Sequence, residues 1–177
     1  MAVAASKSAS LLFTPDTHEH NYKPVIYIDG VLVPPPQSPV IEVLGVKYDT
    51  HFTFAPHLRS LVSRTDKRTG LLKCLSGTDW GCSFDMLHLT YKSSIESVLT
   101  YGAVLFYPVA KPSNIALLQR QQNKALRIVT HNYFNANYGH LCNEVAVLPV
   151  DVKLNLVCSH FLVSASRIHH SSHTLAW

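Results

Sequence analysis

Eleven acidic residues and eleven histidines are the groups from which an active site or a metal site would have to be built. Two-metal phosphoryl transfer needs carboxylates that converge on ions about 3.5–4 Å apart. The carboxylates here are dispersed. No Asp-Asp or Asp-x-Asp occurs, and the closest pair, Asp16 and Glu19, sits in a stretch that reads as a loop. The Gly-rich phosphate loops GxGxxG and GxxxxGK are absent, and so is the nucleophile elbow GxSxG. His57, His88 and His131 are candidate bases, yet spacing gives none of them a Ser or Cys partner. No catalytic residue is assigned.

Metal binding is the next option. His140-x-Cys142 and Cys158-x-His160 make a tempting quartet, and His169, His170 and His173 form a terminal HHxxH. Structural zinc pairs are spaced by two to four residues, and a one-residue gap on a helix turns the two side chains about 200° apart. Cys142 and Cys158 also lie in apolar stretches, where buried reduced thiols are common. No metal ligand is assigned and no cofactor is expected in this chain.

The basic residues are the remaining chemistry. Residues 52–130 carry ten basic side chains against four acidic ones, whereas residues 1–51 carry three against five and residues 131–177 are balanced. Clustered Lys and Arg suit a polyanion, because phosphate neutralisation drives its binding. The alternative is a solvated basic surface. Arg59, Arg64, Lys67, Arg68 and Lys73 form the first candidate face, and Arg120, Lys124 and Arg127 the second. Arg64, Lys67 and Arg68 are three and four apart and so adjoin on a helix, with Asp66 turned away from them.

The elements that must position these groups follow from hydrophobic period. Hydrophobic residues are 47% of the chain and charged ones 15%, which excludes a largely disordered chain. Four scattered cysteines exclude a disulfide framework. No apolar run approaches the length of a membrane span, and MAVAASKSAS has no apolar signal core, so the expectation is an intracellular chain, nuclear or cytoplasmic, and not a secreted one. Low charge with high apolarity also suggests core surface left uncovered, as in a piece of something larger. SLLF (Ser10–Phe13) reads as a short strand. VIYI and VLV around Asp29-Gly30 read as a hairpin with a type I′ turn. PPPQSP interrupts pairing, and Val40–Asp49 reads as a further strand with Gly45 inside it as a bulge or close approach.

From residue 53 the period changes to about 3.6. Phe54, Leu58, Leu61, Val62, Thr65, Leu72 and Leu75 make one stripe, with Thr53 as N-cap and Pro56 in the first turn. A second helix capped by Ser83 carries Phe84, Leu87, Tyr91, Ile95, Val98, Leu99 and Phe106, and Pro108 and Pro112 end it. Tyr91, Tyr101 and Tyr107 read as core and not as stacking platforms. A third helix, capped by Ser113, turns Ile115, Leu118, Ala125, Leu126 and Val129 inward. Gln119, Arg120, Gln121, Gln122, Lys124 and Arg127 form its polar side. A short helix over Tyr138–Val147 and a last one from Asp151 to Arg167 precede a frayed HHSSHTLAW tail.

The order of the motifs carries a resemblance. LLFTPD, the hairpin, VLGVKYDTHFTFAPH, LLKCLSGTDWGCSFDMLHLTYKSSIESVLTYGAVLFYP, LQRQQNKALRIVT and HLCNEVAVLPVDVKL together resemble a stretch of the reverse transcriptases of non-LTR retrotransposons, the jockey-like kind in particular. The resemblance covers roughly residues 4–168. It implies that Ala5–Phe13 is similar to the end of the palm, with Lys7 in the palm motif, that Val43–Asp49 is similar to the primer-grip hairpin, and that the rest is similar to the helical thumb and connection. The family's catalytic aspartates lie upstream of the Lys7 motif. The resemblance therefore implies RNA-directed DNA polymerase activity for the family and no catalytic site, and no Mg²⁺, in this chain. Ala4-Ala5 departs from the family's Asn-Pro before Ser-Lys.

The combined expectation is an α+β chain: residues 1–51 as an end-of-palm and primer-grip-like β region, residues 52–130 as a basic thumb-like helical bundle, and residues 131–177 as a helical connection with its tail. The expected partner is an RNA–DNA hybrid or other duplex nucleic acid, bound weakly and without sequence preference through Lys7, Gly45, Arg59, Arg64, Lys67, Arg68, Lys73, Arg120, Lys124 and Arg127. Gly45 would let the backbone approach a primer phosphate. Self-association is expected, with no membrane. The other reading is a non-catalytic protein-interaction module that uses its uncovered apolar face.

Overall fold

A computed structural model describes residues 8, 10–14, 16–19, 22, 24–34, 38–77, 81–132 and 136–173, with the side chains of the final helix described as far as Arg167. The architecture is α+β: two small antiparallel hairpins followed by packed helices. The chain divides into two compact units, residues 1–57 and residues 58–177.

In the first unit, β1 (Tyr27–Ile28) pairs with β2 (Val31–Leu32) through Asp29-Gly30. Both turn residues have positive φ, 51° and 76°, the type I′ geometry that Asp-Gly favours. The stretch from Val40 to Asp49 departs from expectation. It is not one strand but a second hairpin, β3 (Val40–Val43) with β4 (Val46–Asp49), in the register Val43↔Val46 and Val40↔Asp49. Leu44 and Gly45 form its turn with φ of 50° and 78°. Gly45 is thus a turn glycine, not a bulge within a strand. Leu-Gly gives no composition signal for such a turn, because Leu in the left-handed region is strained where Asn or Asp would not be.

Ser10–Phe13 forms no strand. The segment packs by side chains instead: the Phe13 ring lies 4.7 Å from Phe52 and 6.3 Å from Tyr48, and Tyr48 lies 5.4 Å from Phe54. Ser10 reaches the carbonyl of Pro24, a residue with no N–H to return into a ladder.

The helix α1 (Ala55–Leu75) begins on a carboxylate from β4. Asp49, only 8% exposed, accepts the Thr53 N–H at 3.1 Å, the Thr53 hydroxyl at 2.8 Å and the Phe54 N–H at 2.7 Å. Those are donors at the helix start, the place where a negative charge stabilises most. Thr53 itself accepts the Ala55 N–H at 3.3 Å. Pro56 falls in the first turn, as expected.

In the second unit the buried stripe of α1 is Leu58, Leu61, Thr65, Thr69 and Leu72, while Leu75 is exposed. The two buried threonines hand their hydroxyls to the carbonyls one turn back, at 2.8 and 2.9 Å. The expected second helix is real but broken. It runs as α2 (Phe84–Tyr91), a π turn over Lys92–Glu96, α3 (Ser97–Leu99) and α4 (Ala103–Phe106). Gly102 takes φ 74° at the last break, which only glycine adopts without strain. Ser83 makes no side-chain cap, and Phe84 is exposed.

The helix α5 (Pro112–Val129) starts with proline at N1 and Lys111 at the N-cap, two residues ahead of the expected cap Ser113. The helix α6 (Tyr138–Glu144) is capped by Asn137, which accepts the Gly139 N–H at 2.9 Å. The last helix, α7 (Val150–His173), runs past the expected end at Arg167. The remaining tail residues 174–177, and the side chains of His169, His170 and His173, lie outside the described residues. The packing contacts join α2, α6 and α7 to α5, and α4 to α7.

Candidate nucleic-acid interface

The basic side chains of α1 and α5 are placed by the helical period around buried stripes. Arg59, Asp66 and Lys73 are each seven apart, so they share one flank of α1. Arg64 and Arg68 lie on the other flank, and Lys67 faces away from the core. On α5, Arg120, Lys124 and Arg127 are four and three apart, opposite the buried Leu118, Ala125, Leu126 and Val129. The two rows meet at one pair. Lys124 Nζ lies 2.5 Å from Asp66 Oδ1, with both side chains about half exposed.

That pair divides the expected face. Arg64 and Arg68 point back onto the broken helix. The Arg68 guanidinium donates to the Ser94 carbonyl at 2.6 Å, inside the π turn. The Arg64 guanidinium sits 6.0 Å over the Tyr101 ring, and its Nε is buried without a hydrogen-bond partner. Among the described residues Arg59, Lys67, Lys73 and Arg120 are exposed and make no ion pair. Arg127 is half-buried. Asp66 shares its flank of α1 with Arg59 and Lys73, and Lys124 shares its face of α5 with Arg120 and Arg127, so the pair joins these two rows at one point. Gly45 is at a hairpin turn in the other unit, and Lys7 lies outside the described residues.

What holds α5 among its neighbours is a buried polar network at Gln122. Composition puts a glutamine on the polar side. The spacing 118, 122, 125, 126, 129 puts it in the middle of the apolar stripe, and the structure buries it to 1% exposure. Gln122 Nε2 donates to the Tyr91 hydroxyl at 2.9 Å and to the Leu148 carbonyl at 2.9 Å. Its Oε1 accepts the Tyr138 hydroxyl, whose oxygen accepts the Val150 N–H at 3.0 Å. One side chain thus ties α2, α5, α6 and the start of α7. Burial pushes the Tyr91 and Tyr138 hydroxyls well above their usual range, and it also raises the Cys142 and Cys158 thiols, so these groups stay neutral. Tyr91 is core, as its spacing predicts; Tyr101 is exposed under Arg64.

Among the described residues no group of three or more His, Cys, Asp or Glu side chains gathers to hold a metal ion. Cys142 and Cys158 are both buried, the latter with Sγ 3.6 Å from the Ala103 carbonyl. His140 points to Glu144 at 3.8 Å.

No family model matches the chain. It is similar to a probable RNA-directed DNA polymerase from transposon BS of Drosophila melanogaster, 27% identical over 146 residues. The match takes in 82% of this chain and 16% of that protein, so the chain spans about a sixth of its relative's length. No solved structure matches. The similarity supports a relationship to a transposon reverse transcriptase.

Proposed function

We propose that this chain is a non-catalytic segment of a jockey-like retrotransposon reverse transcriptase, similar to its thumb and connection, and that it holds duplex nucleic acid by its backbone. The observation that carries the reading is the Asp66–Lys124 pair at 2.5 Å, which joins the basic row of α1 to that of α5 at one point. The match to a transposon RNA-directed DNA polymerase supports the same class of ligand. Arg59, Lys73, Arg120 and Arg127 are the phosphate contacts in this reading; Arg64 and Arg68 position the broken helix. Contacts of this kind fix register on a duplex and carry no base information.

The test is binding of a labelled RNA–DNA hybrid by fluorescence anisotropy across a salt series. Four phosphate contacts give a log–log salt slope near about −3.6 on the B-DNA value of about −0.9 each. Replacing Arg59, Lys73, Arg120 and Arg127 by Gln should remove most of that slope, equally on unrelated sequences. If the quadruple variant binds as tightly as the wild type, the basic rows are a solvated surface. Primer extension on an RNA template should not occur.

A second reading has its own observation. The first unit holds an open groove of about 700 Å³ lined almost wholly by apolar side chains, among them Leu12, Phe13, Ile28, Val33, Ile41 and Tyr48. In that reading the groove takes an apolar protein segment. No binding of the hybrid even at low salt would favour it.

A further inference from the structure

The second half of α7 has a composition that belongs inside a protein and a surface that faces out. Between Lys153 and Arg167 the helix carries no Asp, Glu, Lys or Arg. A helix stretch with no carboxylate, Lys or Arg and many large apolar side chains is normally enclosed. Here only one stripe is enclosed: Val150, Leu154 and Cys158 are buried, and α7 packs on α4 and α5. The opposite stripe is bare. Val152, Leu156 and Val163 are 47%, 54% and 51% exposed. With Ser159 and Ser166 they step along the helix by four, three, four and three residues. That is the seam of a coiled coil, about 21 Å long at 1.5 Å per residue.

We infer that this seam pairs two copies of the chain through an antiparallel α7–α7 contact. Three observations select a second copy as the occupant. The heptad step asks for another helix, since its knobs need the holes of a facing helix. The stripe is uncharged, so it offers nothing to a charged partner and puts no like charges together when it meets itself. The chain is net positive by 4, with its basic rows on α1 and α5, so copies meet at α7 with the least repulsion. The stripe also matches itself in shape. With the two-fold axis between Val157 and Cys158, Leu156 of one copy lies over Ser159 of the other and Val152 lies over Val163. Leu156 thus faces the small Ser159 and Val152 faces an equal Val163, and each contact is made twice, as an isologous interface requires.

The test is sedimentation of the full chain from about 1 to 100 μM, with far-UV circular dichroism as the fold control. The expected result is a dimer of 19.7 kDa protomers. Leu156→Glu and Val163→Glu should each raise the dimer dissociation constant by at least about 100-fold, since each puts two unpaired carboxylates into the seam. Both sites are exposed in the protomer, so helicity should be unchanged. Leu156→Ser should weaken the dimer, and Leu156→Ser with Ser159→Leu should restore it by exchanging the large and small positions. A monomer at 100 μM overturns the inference. So does a dimer indifferent to both Glu variants, or one lost instead on Val43→Glu in the hairpin of the first unit.

Discussion

Gln122→Ala is the substitution with the largest consequence the structure predicts. The side chain is 1% exposed, so its loss leaves a void and strands its partners. Tyr91 is fully buried, and its hydroxyl would lose the Nε2–H donor at 2.9 Å. An orphaned buried hydroxyl costs about 1–3 kcal/mol. The Tyr138 hydroxyl is part-exposed, and Leu148 is 41% exposed, so water can reach partners there and the cost is smaller. Truncating the side chain adds about 1–2 kcal/mol of lost packing. The total is about 2–5 kcal/mol, or roughly 4–20 °C in Tm at about 2–4 °C per kcal/mol for a chain of this size. Urea unfolding followed by circular dichroism measures it. A cycle with Tyr91→Phe checks the cause. Alone, Tyr91→Phe should cost about 1 kcal/mol, because Nε2 keeps its bond to the Leu148 carbonyl. In the Gln122→Ala background it should cost nothing or recover stability, because the orphaned hydroxyl is gone. Equal costs of Tyr91→Phe in both backgrounds, or a Gln122→Ala cost under about 1 kcal/mol, would refute the network.

The other predictions concern single groups. Leu44→Asn should stabilise by about 1 kcal/mol, since Leu44 holds φ 50° at 88% exposure and gains little from packing; a loss of stability would mean that the side chain makes a needed contact. Asp49→Ala should destabilise by about 2 kcal/mol through loss of the bonds to Thr53 and Phe54 at the start of α1, read from thermal melts. The Tyr91 hydroxyl is held neutral above its usual value of 10.0, so the unfolded chain releases its proton first as pH rises. Stability is therefore whole below pH 10 and falls above it, and Tyr91→Phe should flatten that fall; an unchanged alkaline profile in the variant would count against the burial of this hydroxyl.

The sequence by itself determined the elements that rest on local rules. Asp29-Gly30 specified its turn because few residue pairs tolerate two positive φ values. The change of period at residue 53 specified α1, and Leu58, Leu61, Thr65 and Leu72 fell on its buried stripe because side-chain direction on a helix repeats every 3.6 residues. Tertiary structure decided what depends on neighbours distant in sequence. Leu44-Gly45 became a turn because Val43 and Val46 pair across it, a strand preference strong enough to hold Leu in a strained backbone. The helix after Ser83 broke into a π turn whose Ser94 carbonyl is taken by Arg68, 26 residues away. Gln122 went inward because two tyrosines and a backbone carbonyl from other elements bind its amide, so a polar group met no penalty for burial. Its place in the stripe was legible from spacing; residue type argued the other way. The basic residues were legible as a cluster, but charge has no direction in a sequence. Which of them find partners within the chain was decided by the fold, with Asp66 reaching Lys124 and with Arg64 and Arg68 turned back onto the broken helix.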